Sequence, residues 1–426
     1  MSAMPSLFVC FLLFFSTISA QTAPPSLATL DLIALLRIKN SLRDLHGSEF
    51  FSTWNLSSPD PCSSFAGVVC AVHTGGNTVR VESLTLGTGL TDSWGLTGTL
   101  SPALCDLAAL VELVVYPGKI AGSLPDCIGR LSRLKFISIT NNLVSGAIPA
   151  SLSHLSLLHT LDLGYNLLQG RVPPDLTSKL GELKVLILAD NRLEGELPPI
   201  ESSLLHLDLR SNAFSGELPQ LPSTLRYLCA SGNGLGGPLS RLPASLPDLE
   251  FLDLSMNEFD GPIPAALFGG GFPLLSTVML QRNNLSGQIP PVPFSAAAGG
   301  GGCLSTVDLS HNRLTGEVPP GLAAAENVYL NNNRLTGAVP REYVRSVYGG
   351  EMKTLYLQHN YLSGFPLPPG TAAPESAALC LSYNCMDPPV GPVGCPASVG
   401  AQRSRPGNQC VSPSSTSALN ATTTKV

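Results

Sequence analysis

Gly232–Gly237 reads GNGLGG. That is the G-x-G-x-x-G spacing which, between a strand and a helix, cradles a dinucleotide pyrophosphate. The frame here refutes that chemistry. Asn233, Leu235 and Gly237 fall on the N-x-L-x-G positions of a phrase that recurs along the chain. H-E-x-x-H, C-x-x-C and G-x-S-x-G do not occur, so the motifs of zinc hydrolysis, dithiol exchange and the nucleophile elbow are missing. The seven histidines are scattered. No cofactor, no metal and no enzymatic activity are expected. Charged residues make up only 13%, against about 25% in an average soluble domain. A net charge of −6 leaves no nucleic-acid footprint.

The recurring phrase is what positions every side chain. An asparagine follows an L-x-L strand at Asn142, Asn166, Asn191, Asn212, Asn233, Asn257, Asn283, Asn312, Asn333 and Asn360. The spacing averages about 24 residues, inside the range of leucine-rich repeats. In LHTLDLGYN, Leu161 and Leu163 alternate with Asp162, so the leucines share one face of a strand. One such strand cannot bury that face alone; stacked rungs form a parallel sheet over a continuous core. The asparagine turns the chain inward, its amide satisfying backbone groups freed by the bend. Gly146, Gly170 and Gly195 allow tight backbone, and Pro149, Pro173 and Pro198 help to set the return. Two further repeats, at Leu84–Leu86 and Leu113–Val115, lack the asparagine, making about twelve.

LEGELP, LSGQIP, LTGEVP and LTGAVP are more specific than a generic repeat and resemble the plant extracellular class. LDLIALLRIKNSLRD (30–44), Trp54 and DPCSSFAGVVC (60–70) are similar to the N-terminal cap of that class, with Phe65 where tryptophan is usual. The resemblance spans roughly 30–410 and points to polygalacturonase-inhibiting proteins and receptor-like ectodomains. It implies an α/β repeat solenoid: a curved right-handed superhelix with a parallel concave sheet and disulfide caps at both ends. The expected divisions are a signal peptide (1–20), N-terminal cap (21–80), repeats (81–370), C-terminal cysteine cap (371–410) and a disordered Ser/Thr-rich tail (411–426). GTGLTDSWG (87–95) and SAAAGGGG (295–302) lengthen their repeats.

The signal peptide rests on the short apolar run LFVCFLLFF and on ISA before Gln21, too short for a bilayer span. The mature chain is therefore expected to be secreted to the extracellular space or cell wall, with no membrane span. Ten cysteines then remain for an oxidising compartment. Cys62 and Cys70 should close the N-terminal cap. Cys105 and Cys127 share nearly one phase of adjacent repeats and should bridge. Cys380–Cys385 and Cys395–Cys410 are the preferred pairs of the C-terminal cap. Cys229 and Cys303, three repeats apart, should stay unpaired. Sequons at Asn55, Asn284 and Asn420 fit the same compartment.

Strand residues facing away from the leucines line the concave surface. Its aromatic members, Tyr116, Phe136, Tyr227, Phe251, Tyr329 and Tyr356, are suited to recognition because aromatics offer area at low entropy cost. They are equally suited to bracing one another across rungs. Asp162, Asp208, Asp253 and Asp308 form an acidic column that favours a basic partner, beside His206 and Arg210. The expected function is extracellular binding of a protein or peptide. One form is inhibition of a cell-wall hydrolase; the other is a ligand-binding module acting with a receptor kinase ectodomain.

Overall fold

The computed structural model describes residues 26–410 except 56–57, 59, 73–77, 88–94, 269, 293–303, 368–373, 375, 388–394 and 396–403. The expected signal peptide, the tail with Asn420, most of the GTGLTDSWG stretch, the SAAAGGGG stretch and Cys303 lie outside the described residues.

Alternation of leucine with polar residues gives short strands that pair in parallel with the next repeat. A 15-stranded sheet runs from Ser26–Leu27 to Ala378–Cys380. Its register is one to one: Leu161 lies between Ile137 and Leu186. These inward residues are at most 1% exposed, and they form one core along the solenoid. On the opposite side the return segments are short 3-10 turns such as Asp126–Arg130 and Ala150–His154, or helices such as Arg341–Gly349.

A second, 13-stranded sheet follows the bend in each repeat, and the repeat pattern alone did not announce it. Its strands are short and most carry the repeat glycine, as in Arg192–Glu196. Gly195 sits there at φ 81°, a left-handed conformation that glycine adopts without a Cβ penalty.

The asparagines form the ladder that their spacing implied. Asn166 accepts from the Val144 N–H at 3.1 Å and donates to the Ile139 carbonyl at 2.7 Å, both in the preceding repeat. It also donates to Leu163 and Gly164 of its own bend. The residue before each ladder asparagine is left-handed: Tyr165 at φ 56°, Met256 at 54°, Arg282 at 58° and His311 at 56° are examples. The ladder continues into the cysteine-rich region. Asn384 accepts from Leu362 N–H and donates to the Leu357 and Leu381 carbonyls, so the strand Ala378–Cys380 and its bend, inside the expected C-terminal cap, form a further rung.

The N-terminal helix Thr29–Ser41 covers the first rung. Its Asp31 is fully buried, pairs with Arg80 at 2.8 Å and accepts the Val81 N–H. Phe65 stacks on Trp54 with centroids 5.0 Å apart, so an aromatic partner suffices at that position. Disulfides join Cys62 to Cys70 and Cys105 to Cys127. In the C-terminal cap the pairs are Cys380–Cys395 and Cys385–Cys410, not the sequence-neighbour pairs expected. The reason is the rung itself. Cys380 ends a concave strand beside Tyr356, whereas Cys385 lies past the Asn384 bend, bonded to Leu362 of the second sheet. Among the described residues no helix is long and apolar enough to cross a membrane.

Candidate recognition surface

The concave strands present their outward residues in columns, one residue per rung. The first column includes Phe136, Thr160, Val185, His206, Tyr227, Phe251 and Thr277. The register brings His206, Tyr227 and Phe251 together at mid-solenoid. His206 and Tyr227 stack at 4.1 Å and 1°, Tyr227 and Phe251 at 4.5 Å and 5°. Their inner faces are spent on each other, so this row offers the groove mainly ring edges. All three are half-buried. Burial lowers the His206 imidazole below its ordinary range, against the pull of Asp208. Burial also pushes the Tyr227 phenol up to about 12.

The other expected aromatics are dispersed. Tyr329 and Tyr356 make an edge-to-face pair at 5.4 Å nearer the C-terminus. Phe136 lies between Glu112 and Thr160, and Tyr116, 40% exposed, follows the strand Glu112–Val115.

The acidic column has a local role. Asp162, Asp208, Asp253 and Asp308 each accept the backbone N–H two residues on, from Gly164, Arg210, Ser255 and Ser310 respectively. Each closes the bend between strand and ladder asparagine, as short acidic side chains do. Burial raises the carboxyls of Asp162, Asp208 and Asp308 above the usual range. Arg210 lies 3.5 Å from Asp208 and 3.6 Å from Asp190 and donates to the Tyr165 hydroxyl at 2.6 Å. Cys229 is a free, buried thiol in the same column. Burial pushes it up to about 11, which leaves it protonated and unreactive at neutral pH.

Sequence reasoning missed the row of left-handed residues along the rim. Tyr165 and Met256 are exposed there, and Arg282, His311, Asn332, His359 and Tyr383 continue it. The only signal is position, one residue before each ladder asparagine, because the backbone sets the role and the side-chain type varies. The Oε1 atoms of Gln281 and Gln358 are shielded from solvent and accept no hydrogen bond among the described residues. No group of three or more His, Cys, Asp or Glu residues is placed to hold a metal ion among the described residues.

The family profile described as leucine rich repeat N-terminal domain matches residues 28–71. The leucine rich repeat profile matches 248–269 and 303–325. The chain carries a leucine rich repeat N-terminal domain and leucine-rich repeats. Both profiles are modules of binding scaffolds, and neither is an enzymatic family. The DNA damage-repair/toleration protein of Arabidopsis thaliana is 32% identical over 121 residues, which are 26% of this chain and 31% of that one. The solved structure of the Arabidopsis thaliana membrane receptor kinase GASSHO1/SCHENGEN3 ectodomain, in complex with Casparian strip integrity factor 2, gives a TM-score of 0.68 at 29% identity. It covers 83% of this chain and 44% of that one. The PEPR1–AtPEP1 complex gives 0.65 at 28%, covering 84% and 52%. This leucine-rich-repeat chain thus spans less than a third of that curated relative and about half of those receptor chains.

Proposed function

We propose that this leucine-rich-repeat protein is a non-catalytic extracellular recognition module that binds a peptide or protein segment on its concave face. The observation that carries the reading is the His206–Tyr227–Phe251 row, half-exposed and held on a rigid parallel sheet at mid-solenoid. Rings already fixed by stacking lose little entropy when a ligand lands on them, which is what a binding anchor needs. Four disulfides fit an oxidising compartment, and two of the similar solved ectodomains are complexes, with AtPEP1 and with Casparian strip integrity factor 2. Those complexes favour peptide recognition in signalling over hydrolase inhibition.

The test is affinity capture from extracellular fluid with the wild-type chain and with Tyr227→Ala/Phe251→Ala. A peptide or receptor ectodomain recovered by the wild type and lost by the variant supports the reading. A cell-wall hydrolase recovered in its place supports the inhibitor reading. Capture unchanged in the variant moves the site off the mid-concave row.

A further inference from the structure

One junction of the stack is not held by the asparagine ladder. From Asn142 to Asn384 each bend carries a left-handed residue followed by an asparagine. That asparagine bonds back to the preceding rung, as Asn142 does to the Ile120 N–H and the Tyr116 carbonyl, both at 3.1 Å. The rung of Glu112–Val115 has Pro117 and Gly118 at those two positions. Gly118 has no side chain to reach the rung before it. Nor is there room for one, because a Cβ there would lie 2.6 Å from the Leu96 carbonyl oxygen. Sheet pairing continues across the junction, Ser83–Leu86 against Glu112–Val115 and Thr97–Thr99 against Lys119–Ala121. The ladder bonds that every later junction adds are missing.

A covalent bond stands at that same junction. Cys105 lies in the return turn Pro102–Asp106 of the first rung, and Cys127 in the turn Asp126–Arg130 of the second. Their disulfide joins the two rungs on the return side of the repeat, away from the bend where the asparagine is missing. Among the described residues no other disulfide ties two successive return turns. Cys62–Cys70 lies within the N-terminal cap, and Cys380–Cys395 and Cys385–Cys410 within the C-terminal cap. Cys105 and Cys127 are half-buried, on short surface turns.

We propose that Cys105–Cys127 is a redox clamp that stands in for the missing ladder asparagine. Its reduction by a dithiol lets the N-terminal cap and first rung open as a local unit. The step is ordinary exchange. A thiolate of the dithiol attacks one sulfur, the S–S bond breaks, and a mixed disulfide forms. The other cysteine leaves as a thiolate and takes up a proton. The second thiol of the reductant then displaces the remaining cysteine, so two electrons pass to the bridge and the reductant becomes a disulfide. Two thiols re-pair faster the more firmly the fold holds them together. At a junction without its ladder residue they are held by sheet pairing and core contacts alone, which makes this bridge responsive to its medium.

The effect stays local because each rung touches only its neighbours. The rungs from Phe136–Ile139 onward keep their asparagines, and with them the His206, Tyr227 and Phe251 row. Opening uncovers the strand edge of Glu112–Val115 and the side chains of Leu113 and Val115, at most 1% exposed in the closed chain. A bare edge is a pairing site for other strands, and an opened segment is what proteases cut. The clamp therefore sets how long the N-terminal end survives in a reducing medium.

The experiment holds the full chain at graded ratios of reduced to oxidised dithiothreitol. Free thiols are alkylated and mapped by mass spectrometry, and amide hydrogen exchange is read on the same samples. Labelling of Cys105 and Cys127 should rise together with exchange in Thr78–Leu86 and Leu96–Thr99, by about tenfold or more. Phe136–Ile139 and Thr160–Asp162 should stay protected, and a return to the oxidised ratio should restore both signals. Cys105→Ser/Cys127→Ser should show the faster exchange with no reductant present. In Cys62→Ser/Cys70→Ser, where the cap bridge is gone, the transition should still follow Cys105 and Cys127, which keeps the test decisive if the first variant does not fold. Four results overturn the proposal. They are labelling of both cysteines without faster exchange in Leu96–Thr99, labelling only where Phe136–Ile139 also loses protection, a change that reoxidation does not reverse, and wild-type exchange in Cys105→Ser/Cys127→Ser.

Discussion

One ladder side chain, Asn257, holds two repeats together. Its Oδ1 accepts the Leu235 N–H at 3.0 Å, and its Nδ2 donates to the Ala230, Leu254 and Ser255 carbonyls. Removing it strands a buried N–H and several carbonyls, each worth about 1–3 kcal/mol when left unpaired. Asn257→Ala should therefore lower stability by roughly 2–4 kcal/mol, read as a shift of the denaturant midpoint. Asn257→Asp keeps the shape and the acceptor but turns a carboxylate toward three carbonyl oxygens. It should be no better than alanine, and wild-type stability in that variant would refute the ladder's role. His206 offers a second residue-scale test. Its folded-state pKa is depressed by burial, so its contribution is present above about 6.5, the ordinary value, and is lost as the pH falls. His206→Phe preserves a ring for Tyr227 and removes that proton uptake. The difference in denaturant midpoint between pH 7.5 and pH 5 should be smaller in the variant than in the wild type.

At the scale of the element, the concave strands convert a two-residue alternation into columns, and the stacked row is the outcome. Tyr227 and Phe251 should couple by about 0.5–1.5 kcal/mol in a double-mutant cycle on stability, as offset aromatic pairs do. A coupling near zero would mean that the rings merely coexist. Much of this was legible in the sequence. Leu161, Leu207 and Leu228 fix which residues point inward, and so place His206, Tyr227 and Phe251 outward in one column. The parallel stacking of the rings was not legible, because it depends on side-chain torsions that alternation does not encode. The local role of the acidic column was hidden for a related reason: Asp208 and Asp308 read as surface charge, and the bond each makes to its own bend depends on backbone geometry. The row of left-handed residues was not legible either. Tyr165, Met256, Arg282 and His311 share a backbone conformation, not a chemistry, so no composition signal marks them. The second sheet was hidden because Arg192–Glu196 and its equivalents carry a left-handed glycine, which reads as a turn.

The whole molecule is a one-dimensional stack in which each repeat touches its neighbours, and its ends are closed by different means. At the N-terminus a helix, an aromatic cluster and the buried Asp31–Arg80 pair do the work. At the C-terminus the last rung, Ala378–Cys380 with Asn384, hangs on two disulfides and on Arg405, which lies over Tyr361 and Tyr383 and donates to the Asn360 carbonyl. Proximity along the chain favoured Cys380–Cys385, but the bend directs these two residues to different sheets, and each pairs elsewhere. Cys385–Cys410 closes 25 residues, a loop for which chain-entropy estimates give about 3–4 kcal/mol. In a globular core such a loss is shared by the whole fold; in a stack of nearest neighbours it stays local. Cys385→Ser/Cys410→Ser should therefore accelerate amide hydrogen exchange in the strands Thr354–Tyr356, Tyr361–Gly364 and Ala378–Cys380. Protection at Glu112–Val115 and Phe136–Ile139 should stay as in the wild type. Uniform loss of protection along the chain would show that the solenoid unfolds as one unit and that the C-terminal cap governs more than its own end.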